Sequence, residues 1–199
     1  MKKIIFLLLS ILLFTSCTKV QPYVKSYRIE TLVNIDTYVK SQCGQESIRV
    51  ANVLSENSLM LEKMHYVSGQ YNVASFTESK WSEAPNKAIT AAIVKVLEDA
   101  NLYKHVENTR SFVRSDLILE NHLEDFMQYF IKNDTESYVR VVISATLVDR
   151  KTKKSLVSRK FIQREATKSR DAYGGVVALN KALEHILKEE LVWLEEQCQ

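Results

Sequence analysis

The chain has 199 residues, of which 46% are apolar and 26% charged, with four glycines and two prolines. This composition excludes disordered, collagen-like and low-complexity chains and fits one globular domain of moderate size. The formal net charge of +3 falls to +1 without Lys2 and Lys3, which lie in a predicted leader segment. A nearly neutral domain has no long-range field to attract a polyanion, so we do not expect nucleic-acid binding.

The first residues have the features of a secretory leader. Lys2 and Lys3 precede an apolar run from Ile4 to Phe14, which is too short to cross the ~30 Å hydrocarbon core of a bilayer. The residues Leu13-Phe14-Thr15-Ser16-Cys17 resemble the bacterial lipobox. In that motif the cysteine receives diacylglycerol, cleavage follows, and the new amino group is acylated, commonly with palmitate. The alternative is that Cys17 follows a signal peptide that is cut elsewhere.

These features divide the chain into three parts. We predict a lipoprotein signal peptide over residues 1–16, a lipidated tether over 17–24 and a single periplasmic α/β domain over 25–199. Two or three acyl chains would hold the domain on a membrane almost permanently. Thr18 after the lipidated cysteine resembles an outer-membrane sorting signal. We therefore expect the protein at the inner leaflet of the outer membrane, facing the periplasm.

The first half of the domain contains predicted strands, a hairpin and a helix. Alternation predicts a first strand from Tyr27 to Thr31 and a second from Ser47 to Leu54, with a polar loop from Val33 to Ser47 between them. Two apolar runs around Ser68-Gly69-Gln70 predict a hairpin from Leu61 to Phe76. Helical spacing of apolar residues then predicts a helix of about sixteen residues, beginning near Pro85 and ending at Asn101.

The second half is predicted to hold the longest strands. After a short strand from Tyr103 to Val106, Leu117 to Ile131 forms a long strand. Its apolar face includes Leu123, Met127 and Tyr129, and a bulge lies near Glu124. Residues 138–148 and 156–164 form the next hairpin, and residues 176–194 form a terminal helix whose start is frayed or bent by Gly174-Gly175. The fold class is therefore α/β (α+β), with two main helices packed on a mostly antiparallel mixed sheet.

The order of these elements resembles the ABC-type transport auxiliary lipoprotein family, the PqiC-like lipoproteins. The resemblance rests on the lipobox, Ile48-Arg49-Val50, Met64-His65-Tyr66, Phe76 to Trp81 before the helix, and the hairpin from Val139 to Phe161. The connection from Val33 to Glu46 departs from the family pattern. The resemblance implies a non-enzymatic component of an envelope lipid-transport system, whose partner is a mammalian-cell-entry (MCE) domain protein. Layering like that of the TolB N-terminal domain also fits the predicted elements.

We predict no catalytic residue, cofactor or metal site. The pair Gly174-Gly175 lacks the Lys-Ser/Thr of a phosphate loop, and no Gly-x-Ser-x-Gly elbow occurs. His122 and Glu124 share a face of one strand, and we interpret them as exposed polar residues rather than as ligands or an acid/base pair. Two alternatives stay open. One is an assembly, chaperone or pilot lipoprotein of another outer-membrane machine, and the other is an unrecognised periplasmic hydrolase.

Five residues are candidates for contacts or crosslinks. Trp81 either meets a partner or packs against the helix that follows it. Tyr138 and Val142 lie opposite the apolar face of their strand, and either a helix, which we favour, or another subunit of a homo-oligomer covers them. Cys43 and Cys198 would form a disulfide if their Cα atoms lie within about 7 Å.

Overall fold

A computed structural model describes residues 22–33, 43–109, 114–131 and 135–198. The predicted signal peptide and the lipidation site Cys17 lie outside these residues. Within the described part, the chain forms strands, one short 3-10 helix (Asn57–Met60) and two α-helices. They are β1 (Lys25–Tyr27), β2 (Cys43–Val50), β3 (Leu54–Ser55), β4 (Lys63–Ser68), β5 (Asn72–Trp81), α1 (Pro85–Ala100), β6 (Tyr103–Glu107), β7 (Leu117–Ile131), β8 (Glu136–Asp149), β9 (Lys154–Ala166) and α2 (Ala172–Glu195).

The strands form one mixed sheet around the long strand β7. On one side β7 pairs antiparallel with β8 along its length, and β8 pairs antiparallel with β9. On the other side β7 pairs in parallel with β2, β3 and β4 in turn. Strand β6 extends the sheet beyond β2, and β5 and then β1 extend it beyond β4. The single α+β domain predicted from the sequence is confirmed.

Both helices pack on the same face of this sheet. The predicted apolar stripe of α1 is confirmed, since Ile89 and Ile93 are buried there. Strand β8 contributes Val139, Val141 and Ile143, each with no exposed surface. These side chains and the leucines of α2 form one continuous apolar core, as expected of a helix layer on one sheet face.

The predicted ends of several strands are wrong. Strand β2 begins at Cys43 rather than at Ser47, because Cys43 already pairs with Tyr103 of β6. It ends at Val50, and the separate β3 follows. The hairpin after the 3-10 helix has its predicted turn, but β5 continues to Trp81 because its end pairs with β1. Strand β1 lies at Lys25–Tyr27, ahead of most of the predicted first strand.

The predicted bulge in β7 is confirmed, and it changes which residues face the core. The register between β7 and β8 shifts between Leu123 and Asp125. A bulge inserts one residue, so it exchanges the two faces of the strand beyond it. Phe126 is therefore buried among the core residues, and the prediction that Met127 and Tyr129 share the face of Leu123 is wrong.

The start of α2 is capped rather than frayed. Asp171 is the N-cap, and its Oδ1 accepts a hydrogen bond from the Gly174 backbone N–H at 2.9 Å. Gly174 and Gly175 are buried inside the helix. A Cβ on Gly175 would lie 2.2 Å from Gln128 Oε1 on β7. The two glycines thus allow the helix to approach its neighbours closely, and the predicted fraying is wrong.

Candidate functional site

The sheet face opposite the helices carries a cluster of aromatic and charged side chains. We call it the open face, and its members come from three adjacent strands: Asp125 and Tyr129 on β7, Tyr138, Arg140 and Val142 on β8, and Ile162 and Arg164 on β9. Register brings them together, since Asp125 pairs with Val142 and Val142 pairs with Ile162. The bulge in β7 is what turns Asp125 and Tyr129 onto this face.

Asp125 is the centre of a hydrogen-bonded ion pair. The Tyr129 hydroxyl and the Arg140 Nε–H both donate to Asp125 Oδ2. Arg140 Nη2 also donates to the Tyr129 hydroxyl oxygen at 2.9 Å. Asp125 is 5% exposed, whereas Arg140 keeps part of its side chain in solvent. The guanidinium is therefore held in one position by two neighbours and still presents an outer edge.

Burial dominates the electrostatics of this cluster. Loss of solvent raises the pKa of Asp125 above its ordinary value, and the hydrogen bonds from Tyr129 and Arg140 oppose that rise. Asp125 Oδ1 is buried without a hydrogen-bond partner among the described residues. Burial and the neighbouring carboxylate likewise raise the pKa of Tyr129, so its hydroxyl stays protonated. Burial thus disfavours the ionised form of Asp125, and the hydrogen bonds from Tyr129 and Arg140 favour it.

Two tyrosines and two arginines form a stack across the open face. The rings of Tyr129 and Tyr138 are nearly parallel, at an angle of 11° with centroids 5.2 Å apart. The Arg140 guanidinium carbon lies 4.9 Å from the Tyr129 centroid, and that of Arg164 lies 5.6 Å from the Tyr138 centroid. Arginines ordered over aromatic rings are suited to bind carboxylates, aromatic rings or backbone carbonyls of a partner.

The structure places two of the predicted contact residues, Tyr138 and Val142, on the open face and the third, Trp81, in the core. Tyr138 and Val142 lie on the open face as predicted, and Val142 is 8% exposed between its neighbours on β7 and β9. The preferred prediction that a helix covers this face is wrong. Both α1 and α2 bury their apolar residues against the other face, because there the bulge and strand alternation place the large apolar side chains.

Trp81 belongs to the core and not to the surface. It is 2% exposed, and its ring centroid lies 5.6 Å from that of Phe126. Burial leaves no ring surface for a partner, and the ring contact is with Phe126 of β7 rather than with the helix that follows Trp81. Sequence reasoning did not identify Asp125, Arg140 or Arg164. The signal for Asp125 was its interruption of the apolar pattern of β7, but its pairing with Arg140 depends on the register.

The predicted crosslink is present. Cys43, at the start of β2, and Cys198, beyond the end of α2, form a disulfide with their Cα atoms 5.0 Å apart.

His122 is exposed, and Glu124 accepts hydrogen bonds from Lys160 Nζ at 2.7 Å and from Ser144 Oγ. In the described part of the chain, no three His, Cys, Asp or Glu side chains are placed to hold a metal ion. Neither described helix is long and apolar enough to cross a membrane.

Comparison with known proteins identifies the fold. No family model matches the sequence, and no curated protein matches it. Among solved structures, a DUF330 protein from Xanthomonas campestris overlaps 87% of this chain and 97% of its own, with a TM-score of 0.79 and 15% identity. An uncharacterised protein overlaps 85% of this chain and 97% of its own, with a TM-score of 0.65 and 10% identity. A hypothetical protein from Chlamydia trachomatis overlaps 78% of this chain and 98% of its own, with a TM-score of 0.51 and 6% identity.

Proposed function

We propose that the protein is a lipid-anchored, non-enzymatic auxiliary component of an ABC/MCE-type lipid-transport system. It is held at the inner leaflet of the outer membrane and faces the periplasm, where it binds an MCE-domain protein through the open face. The observation that carries this proposal is the open face itself, a broad sheet surface with an ordered Tyr and Arg stack that no described helix covers.

The composition of the open face supports binding to a protein. Tyrosine and arginine dominate the energetic centres of protein interfaces. Here hydrogen bonds and stacking already order Arg140 and Tyr129, so less side-chain entropy would be lost on binding. Ile162, which is 55% exposed, adds an apolar anchor beside them. A partner surface with carboxylates around an apolar centre would complement this arrangement.

Two further observations support the proposed location. The leader and the lipobox ending at Cys17 are features of the sequence, and the disulfide between Cys43 and Cys198 fits an oxidising compartment such as the periplasm. The resemblance of the chain to the ABC-type transport auxiliary lipoproteins supplies the class of partner. The DUF330 protein from Xanthomonas campestris shares the fold of this chain over nearly the whole of its own length.

Site-specific crosslinking in cells tests the partner and the surface together. A photoreactive phenylalanine analogue replaces Ile162 on the open face, and a matched variant carries it at Glu98, which is exposed on α1. Crosslinked products from the lipidated full-length chain are identified by mass spectrometry. We expect an MCE-domain protein to crosslink at position 162 and not at position 98.

Other outcomes would contradict the proposal in different ways. Capture of a secretin or of a porin-assembly component at position 162 would instead identify an assembly or pilot lipoprotein. Capture of an MCE-domain protein from position 98 alone would retain the transport role and exclude the open face. No crosslinked envelope protein from either position would contradict partner binding as a whole.

Replacement of the lipidated cysteine tests the anchor. Cys17 provides the membrane attachment that the sequence predicts, so Cys17→Ser should release the chain from the membrane fraction or leave an uncleaved precursor. Fractionation and mass spectrometry of the mature N-terminus check this. A native N-terminus other than acylated Cys17 would contradict the proposed localisation.

A further inference from the structure

Three connections of the fold meet at one end of the sheet. Ser68 at the end of β4 pairs with Phe130 at the end of β7 and with Asn72 at the start of β5. Phe130 pairs with Ser137 at the start of β8, and the Ser137 carbonyl accepts a hydrogen bond from the backbone N–H of Thr167 after β9. We call this the tether end and define it by residues 69–73, 131 and 167–173.

The tether runs towards this end. Strand β1 is parallel to β5 and Lys25 pairs with Ser79, so the chain before Lys25 runs back along β5 towards Asn72, which is about 23 Å away. The Tyr27 ring lies 6.3 Å from the Tyr173 ring on the first turn of α2. An extended segment from Cys17 to Lys25 spans at most about 28 Å. A segment of this length that runs back along β5 is long enough to bring an anchor at Cys17 to the tether end.

The tether end exposes side chains that favour a membrane interface. Tyr71 is 84% exposed and Tyr173 59%, and Tyr23, on the segment that runs towards this end, is 83% exposed. Tyr71 stands on the tight turn between β4 and β5, which Gly69 closes with a φ of +67°. Lys168 and Arg170 are exposed in the connection before α2. Tyrosine rings accumulate at the level of lipid headgroups, and lysine and arginine are attracted to anionic lipids.

We propose that the tether end lies on the surface of the bilayer that holds the anchor. In this arrangement Tyr71 and Tyr173 lie among the headgroups, and Lys168 and Arg170 lie beside lipid phosphates. The inference rests on the proposed lipidation of Cys17. It also orients the molecule, because the strands then rise away from the membrane and the open face is turned sideways, where a partner can reach it.

Tryptophan fluorescence in vesicles tests this contact. The full-length lipidated chain with Tyr71→Trp is reconstituted into phosphatidylethanolamine and phosphatidylglycerol vesicles, with and without lipids brominated on the acyl chains. The matched control is Leu156→Trp, because Leu156 is 55% exposed near the opposite end of the sheet. The length of β7, fifteen residues, places the two ends roughly 45 Å apart. Trp81 and Trp193 are buried, and their fluorescence in the wild-type chain is the background to be subtracted.

We expect brominated lipids to quench the added fluorescence of Tyr71→Trp at least two-fold, and that of Leu156→Trp by less than a tenth. Lys168→Glu in the Tyr71→Trp background should reduce the quenching in these anionic vesicles and leave it unchanged in phosphatidylcholine vesicles. Equal quenching at the two positions, or none at either, would overturn the proposal.

Mass spectrometry of the same samples separates this inference from the proposed function. If Cys17 is acylated and no quenching is seen, the membrane contact is wrong and the proposed partner binding stands. If Cys17 carries no lipid, the anchor is wrong, and the orientation inferred from it is overturned as well.

Discussion

Glu190 is a buried carboxyl group in the core of the domain. It lies on α2 with 2% of its surface exposed, and Asn121 on β7, which is 1% exposed, faces it. Burial raises the pKa of Glu190 to about 7, and the Asn121 amide opposes that rise. The folded state therefore binds this proton more tightly than the unfolded chain does. The stability that Glu190 contributes is fully present below pH 4.5 and is lost as the pH rises towards 7.

Glu190→Gln should remove this pH dependence. A neutral amide needs no proton, so the variant should equal the wild type near pH 4 and exceed it above pH 7, by up to about 3 kcal/mol. Urea unfolding at several pH values from 4 to 8 measures the difference. Glu189→Gln, on the exposed side of the same turn, is the matched control and should show no such trend. A Glu190→Gln variant that is less stable than the wild type at pH 8 would contradict the prediction.

The pair of Asp125 and Arg140 has a different consequence, because both partners are charged. Arg140→Leu leaves a buried carboxylate without its cation and should cost about 3 kcal/mol. Adding Asp125→Leu should recover most of that loss, since neither charge is then buried. Lys160→Met breaks the exposed ion pair with Glu124 and should cost less than about 1 kcal/mol. Denaturant unfolding measures the free energy of unfolding of each variant. A double variant that is less stable than Arg140→Leu alone would contradict the prediction.

At the scale of elements, the start of α2 depends on the absence of a side chain. A Cβ on Gly174 would lie 2.1 Å from the Ser169 carbonyl oxygen, which is backbone and cannot turn aside. Gly174→Ala should therefore lower stability by about 2 kcal/mol, although alanine favours a helix by about 1 kcal/mol. Thermal unfolding should show a fall of about 6 °C. Val177→Ala, exposed on the next turn, should change little, and an equal effect of both substitutions would refute this explanation.

The elements that sequence analysis predicted well are those with strong local patterns. The apolar stripe containing Ile89 and Ile93 predicts α1, and the break in alternation near Glu124 predicts the bulge. The beginning of β2 has no such pattern, because Gly44, Gln45 and Glu46 are all exposed. Its pairing with β6 involves residues about sixty positions away. For the open face, the sequence predicted Tyr138 and Val142 but missed Asp125 and Arg140. These two side chains meet only through the register of two long strands, which the local sequence pattern does not contain.

At the scale of the whole molecule, the two described helices cover one face of the sheet, and the open face, which they do not cover, is the proposed binding surface. The tether end lies at one end of the sheet, and the open face and the helix layer lie on its two sides, so the proposed membrane contact and the proposed partner contact use different surfaces. The two helices stabilise the sheet from behind, and the Tyr and Arg stack can stay ordered without a covering layer. This division of surfaces is consistent with the proposed role between a membrane and a transport protein.

The disulfide fastens the sheet to the end of the helix layer. It joins residues 155 positions apart, and so it closes a loop that contains nearly the whole domain. In the chain-entropy model a loop of this length stabilises the fold by up to about 5 kcal/mol. Cys43→Ser with Cys198→Ser should therefore lose between about 2 and 5 kcal/mol in urea unfolding. Wild-type protein in dithiothreitol should match the double variant, because both lack the same bond. Cys17→Ser should unfold like the oxidised wild type, since Cys17 takes no part in the disulfide. A free energy of unfolding that reduction leaves unchanged would contradict the prediction and show that packing alone holds β2 against the end of α2.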